Sequence, residues 1–230
     1  MLPAAPGTTG QGGWDTARRH DGRVTTPDAP RPFHVLAVCT GNICRSPAVE
    51  RLLATGLGAP WPVGRTLHGP AAGPDGAVVS SAGTGAVVGA PVSPLMVDLL
   101  HGAGVDAGGF AARQLTPDIV RSADLVLALT RRHRSAVVEL FPGAVRRTFT
   151  LRELARLAAL VDRAQLPAGP GVGDRLRALV PLAAAQRGQV TADPGADDVV
   201  DPYGHSAEVF RRSWDELAPA VTTLVQVVRG

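Results

Sequence analysis

Residues 34–47 constrain this chain more than any other stretch. His34-Val35-Leu36-Ala37-Val38 is an apolar run short enough for a buried strand, and Cys39-Thr40-Gly41-Asn42-Ile43-Cys44-Arg45 is a loop of mostly small residues. A helix signature follows, with Ser46 as candidate N-cap, Pro47 at the first helical position and Glu50 close to a capping-box place. A strand that feeds a helix through such a loop aims several backbone N–H groups, and the positive helix end, at one point. Gly41 and Asn42 suit the left-handed backbone that turns consecutive N–H groups inward. Cys39 opens the loop and Arg45 closes it, so a thiol and a guanidinium face a ring of amides. That is a place to attack a bound tetrahedral oxyanion.

The remainder alternates strand and helix signals. Further strands are predicted at Ala77–Ser80, Leu125–Leu129 and Val145–Phe149, and helices at 91–103, 117–123, 131–140, 151–164, 174–186 and 207–228. Such alternation predicts an α/β fold, a four-stranded parallel sheet with helices on both faces and the phosphate-binding loop after the first strand. In these sheets ligands sit at the carboxyl ends of the strands, where Cys39 emerges. The last helix carries Val209, Phe210, Trp214, Leu217, Val221, Leu224 and Val228 along one stripe, with Pro219 expected to kink or divide it. Residues 1–31, rich in Gly, Pro, Thr and Arg without apolar period, read as a disordered extension. Residues 32–230 read as a single domain with loop insertions near 58–76 and 160–195.

Composition removes several classes of function. All 23 basic side chains are arginine, which excludes a lysine Schiff base and any nucleotide loop that depends on lysine. The net charge of +3 argues against nucleic acid, and no apolar run is long enough for membrane insertion. The 2 cysteines both lie in the loop, so neither a disulfide framework nor a cysteine-rich zinc site is available. No histidine pair has metal-ligand spacing, and His101 and His133 fall on predicted helices. The expectation is a cytoplasmic protein without metal or cofactor.

A thiol of ordinary pKa, about 8.5, is mostly the poorer nucleophile at neutral pH; the helix terminus, the amides, Arg45 and the Ser46 hydroxyl all favour thiolate. Arg45 offers a planar fork suited to two phosphoryl oxygens. Expelling an alkoxide or phenoxide also needs an acid. Asp201-Pro202-Tyr203, just before the last helix, is the leading source. Asp193-Pro194 competes, but Gly195 follows it and it lies farther from the helix start.

The stretch Cys39-Thr40-Gly41-Asn42-Ile43-Cys44-Arg45-Ser46-Pro47 resembles the active-site signature of the low-molecular-weight protein tyrosine phosphatases of bacterial type. The resemblance runs from about Phe33 to the C-terminus and thins across 151–195. It implies that Cys39 is the nucleophile of a phosphocysteine intermediate, that Arg45 binds phosphate, and that Ser46 helps stabilise the thiolate. It places Thr40, Gly41, Ile43 and Cys44 around the substrate, and has Asn42 hold the loop's shape with Ser81 as partner. Asp201 would act as general acid and then base, with Tyr203 flanking the substrate ring. In the family a cysteine at the place of Cys44 can form a protective disulfide with the nucleophile. The implied substrate is a phosphotyrosine protein, a bacterial tyrosine kinase being one such partner.

Other activities of similar loops fit less well. Arsenate reductases require additional cysteines for a disulfide relay. Protein-arginine phosphatases favour Thr where this chain has Ile43, whose apolar bulk beside Tyr203 suits an aromatic leaving group. An inactive phosphotyrosine-binding module would lack the Cys, Arg or Asp. One departure stands out: Phe110, ahead of Ala111-Ala112-Arg113-Gln114, stands where relatives often carry His.

Overall fold

In the computed structural model, which describes Met1 and residues 31–63, 66–68, 75–169, 171–188 and 193–230, the apolar runs pair as a parallel sheet. Its strands are β1 (Phe33–Cys39), β4 (Ala77–Gly83), β5 (Leu125–Ala128) and β6 (Thr148–Thr150), in the order β4-β1-β5-β6. Strand β1 is central, with Val35 opposite Val79 on one side and Leu125 on the other. The chain passes from β1 to β4 on one side and then crosses to β5 on the other, so strand order reverses at β1; the crevice at its carboxyl end is the topological switch point, and Cys39 occupies it. Nearly all of the N-terminal extension expected over 1–31 lies outside the described residues.

Both faces are covered, which is why the strands read as continuous apolar runs. Val35 and Ala37 face the larger core, shared with α1 (Arg45–Leu57), α2 (Pro94–Gly102), α5 (Leu151–Ala158), α6 (Val172–Ala185) and α7 (Ala207–Arg229). Leu36 and Val38 face the smaller one, under α3 (Pro117–Ser122) and α4 (Arg131–Leu140). The period of two along one strand thus serves two helical layers. Inside α1, a Cβ on Gly56 would lie 2.6 Å from Val225 Cγ2, so the glycine lets α1 and α7 pack closely.

Several local expectations change. Helix α1 starts two residues earlier than read, with Cys44 at the N-cap, because the Ser46 hydroxyl is spent on the Cys39 sulfur and Asn42. Glu50 makes no capping box; it is buried and bonded to Ser81. The loop expected over 58–76 contains an antiparallel pair, β2 (Trp61–Val63) with β3 (Thr66–His68). The strand expected from Val145 begins at Thr148, since Pro142–Arg147 forms a 3-10 turn whose Ala144 carbonyl accepts from the Thr148 hydroxyl at 2.8 Å. Helix α2 begins at Pro94 rather than residue 91, and α7 continues through Pro219 as one element.

Candidate active site

The loop between β1 and α1 is shaped from outside. Its carbonyls at Cys39, Thr40, Gly41 and Ile43 accept from the N–H groups of Thr84, Gly85, Val87 and Ser93, all between β4 and α2, at 2.7–3.1 Å. The N–H groups of residues 40–44 have no bonded partner among the described residues, which is what a bound oxyanion requires. Asn42 takes a left-handed φ of 54° within this turn. Gly83 permits the close approach beneath: a Cβ there would sit 2.3 Å from the Thr40 carbonyl oxygen.

Behind the loop runs a directed hydrogen-bond chain. The Arg113 N–H donates to Asn42 Oδ1 at 2.8 Å, which fixes the amide and turns its Nδ2 toward Ser46 and Ser81, both at 2.9 Å. Each serine oxygen therefore accepts from Asn42 and gives its own proton onward. Ser46 donates to Cys39 Sγ at 3.0 Å and Ser81 to Glu50 Oε2 at 2.7 Å. The Glu50 carboxyl, pushed up to about 7 chiefly by burial, ends the chain. Ring stacking, not a histidine, fills the place of Phe110, which lies 5.8 Å from the Arg51 guanidinium.

Arg45 is buried, its Nη1 donating to the Val199 carbonyl at 3.1 Å and its Nη2 paired with Asp201 Oδ2 at 2.5 Å. Asp201 reaches it from a segment anchored on several sides. The Val199 N–H bonds the Leu129 carbonyl at the end of β5, Val200 N–H bonds Glu216 Oε2 of α7 at 2.8 Å, and Asp198 Oδ1 accepts the Arg131 N–H at 2.7 Å. The competing Asp193 spends its carboxylate on the Gly195 N–H at 3.0 Å.

These groups surround a cavity of about 160 Å³ lined by Cys39, Thr40, Gly41, Ile43, Cys44, Arg45, Gly85, Val87, Asp201 and Tyr203. Eight of the ten residues singled out from sequence are among them; Asn42 and Ser46 are not, because their side chains work behind the loop at 0% exposure. Ile43, Val87 and Tyr203 give the cavity an apolar wall. The Cys44 thiol is pushed up to about 11 by burial first and by the neighbouring Cys39 second.

Two participants were not read from sequence. Val87 sits in a loop without a motif. His133, set aside as a helix residue, is buried with Nε2 2.8 Å from Thr40 Oγ1 and Nδ1 2.8 Å from Thr130 Oγ1. Its imidazole is pushed down to about 4 by burial and then by the Arg45 charge. The signal that could have found it is Thr130, an N-cap three residues ahead at the end of the most apolar strand. Among the described residues, no cluster of metal-ligating side chains occurs.

Comparison with known proteins agrees with this geometry. A family model described as low molecular weight phosphotyrosine protein phosphatase matches residues 34–161. The probable low molecular weight protein-tyrosine-phosphatase EpsP of Ralstonia nicotianae is 32% identical over 120 residues, 52% of this chain and 71% of that protein. The protein-arginine-phosphatase of Geobacillus stearothermophilus is 28% identical over 195 residues, 85% of this chain and 95% of its own. Among solved structures, the YwlE arginine phosphatase from Geobacillus stearothermophilus superposes with a TM-score of 0.57 at 28% identity, covering 85% of this chain and 92% of that one. The Erwinia amylovora tyrosine phosphatase AmsI gives 0.56 at 22% identity over 85% and 92%, a likeness of fold.

Proposed function

The chain belongs to the low molecular weight phosphotyrosine protein phosphatase family, and on that premise we propose that it hydrolyses protein phosphotyrosine through a phosphocysteine intermediate. The observation that carries this reading is the convergence of Cys39, Arg45 and Asp201 on one cavity, with Arg45 and Asp201 in contact. A phosphoryl group entering the loop takes the place of the Asp201 carboxylate on Arg45. The displaced carboxyl then stands beside the bound phosphoryl group, free to serve as the acid. The Cys39 sulfur attacks phosphorus as the P–O(tyrosine) bond breaks, and Asp201 gives its proton to the departing phenoxide. Asp201 next takes a proton from water as that water attacks phosphorus, releasing phosphate and regenerating the thiolate. Loop N–H groups and Arg45 hold the three equatorial oxygens throughout.

The apolar wall of Ile43, Val87 and Tyr203 supports an aromatic leaving group, and a phosphorylated bacterial tyrosine kinase is a partner of the right chemistry. A second reading, protein-arginine phosphatase, draws on the alignment that spans 95% of the Geobacillus enzyme. Parallel hydrolysis of phosphotyrosine and phosphoarginine peptides by the purified full chain tests both. Faster phosphotyrosine turnover is expected; turnover of phosphoarginine alone reverses the order, and turnover of neither refutes an enzyme.

A mechanism through thiolate suits a reducing, cytoplasmic setting, and no helix among the described residues is long and apolar enough to cross a membrane. Cys44 beside Cys39 fits a redox guard. Peroxide converts the Cys39 thiolate to sulfenic acid, and the Cys44 sulfur displaces its oxygen as water to leave a disulfide that a dithiol reduces. Since burial holds Cys44 as thiol, closure is slow. Dithiol is expected to restore peroxide-treated wild type but not Cys44→Ser; equal, irreversible loss in both would exclude the guard.

A further inference from the structure

We propose that His133 is a positioning residue that sets the Thr40 hydroxyl as a hydrogen-bond donor to the substrate phosphoryl group. The inference rests on the phosphatase reading for its ligand, and on the donor count around one imidazole for its geometry.

His133 stands in the first turn of α4, 5% exposed, with a hydroxyl oxygen 2.8 Å from each ring nitrogen. Thr130 is the N-cap of the same helix, and its Oγ1 already accepts the His133 backbone N–H at 3.2 Å. A hydroxyl has one proton to give. If Nδ1 carried the ring proton, Thr130 Oγ1 would accept twice, and its own proton would have no acceptor among the described residues. With Nδ1 bare, the Thr130 hydroxyl donates to it and every group is matched. The neutral ring then carries its proton on Nε2 and donates it to Thr40 Oγ1.

The consequence falls on Thr40, the residue after the nucleophile and part of the cavity wall. Its oxygen accepts from the ring, so its own proton is free for the cavity, where phosphoryl oxygens sit. The opposite tautomer would consume that proton on Nε2 and present lone pairs to a dianion, which repels them. Burial and the Arg45 charge keep the ring neutral through the range in which such an assay is run. Arg45 and Asp201 both act on the ring electrostatically, as expected for a group directly behind the phosphate site.

Long-range proton–nitrogen NMR of the full chain with labelled histidine tests the tautomer without any turnover, His133→Gln identifying the signal. A neutral imidazole protonated on Nε2 is expected; protonation on Nδ1 overturns the proposal. Calorimetry with inorganic phosphate tests the consequence. Thr40→Val is expected to weaken phosphate binding about tenfold, the loss of one hydrogen bond to a charged group, and Thr40→Ser to restore it. His133→Ala is expected to weaken binding by a similar factor, and the double variant to be no weaker than either single. Additive losses, or unchanged binding in Thr40→Val, overturn the proposal; that variant keeps the test open should His133→Ala fail to fold. A wild type that binds phosphate with these couplings but turns over no phosphoester would refute the proposed activity alone.

Discussion

Replacing Cys39 by serine will remove turnover of phosphotyrosine peptides, lowering kcat/KM by at least about 10⁴-fold. The size follows from what surrounds the sulfur. Among the described residues its hydrogen-bond partner is the Ser46 hydroxyl at 3.0 Å, a donor and not a base. A thiol in that place can ionise and attack; a serine hydroxyl, far less acidic, has nothing to take its proton. The arginine and the amide ring remain, so calorimetric phosphate binding should persist while steady-state turnover vanishes. Rapid quenching of wild type should reveal a phosphoryl adduct on the Cys39 peptide. Turnover by Cys39→Ser within about tenfold of wild type would sink the assignment of the nucleophile.

Asp201→Ala carries the second large effect, about 10²- to 10⁴-fold in kcat for a phenyl phosphate with a poor leaving group. The loss should shrink as the leaving phenol becomes more acidic, because an acidic phenoxide departs without a proton. Removing Asp201 also frees Arg45 from its carboxylate partner, so inorganic phosphate should bind the variant more tightly than wild type. Rates measured across a series of substituted phenyl phosphates decide this. A loss that is the same for every leaving group would move the acid role to another residue.

The contiguous parts of this site were legible because strand, loop and helix follow one another within residues 33–57 and their geometry is local. Asp201 was legible at a distance because an Asp-Pro-aromatic turn before an amphipathic helix carries its own signature. His133 was not. Its place depends on β5 pairing with β1 in parallel, so that Thr130 and His133 follow β5 at the level where Thr40 follows β1. The Thr130 N-cap marks the start of that helix, but no local pattern encodes the meeting of His133 with Thr40. Glu50 was misread for a related reason: counted from Ser46 it stands close to a capping-box place, but α1 begins at Arg45, and the chain through Ser81 and Asn42 claims the carboxyl for the core. The antiparallel pair of β2 and β3 was hidden by proline and glycine, which read as loop whether or not short pairing follows; the late start of β6 was hidden because apolar Val145 reads as strand yet belongs to a 3-10 turn.

The buried carboxyl and the buried imidazole, joined to the loop through Ser81 and Thr40, also make folding an exchange of protons. At about pH 5.5 the unfolded chain holds a proton on this imidazole and none on this carboxyl. In the folded chain Glu50, raised from 4.5 to about 7, holds the proton, and His133, lowered from 6.5 to about 4, holds none. One proton leaves and one arrives, so the pair contributes almost no slope to stability between pH 4.5 and 6.5. Taken singly the two oppose each other. The Glu50 contribution is full below 4.5 and lost as pH rises through 7, whereas the His133 contribution is full above 6.5 and lost as pH falls through 4. Glu50→Gln should therefore uncover a loss of stability toward acid, and His133→Gln a loss toward neutrality, each on the order of 1 kcal/mol per pH unit. Urea unfolding of both variants at either end of that interval would show slopes of opposite sign, with wild type nearly flat between them.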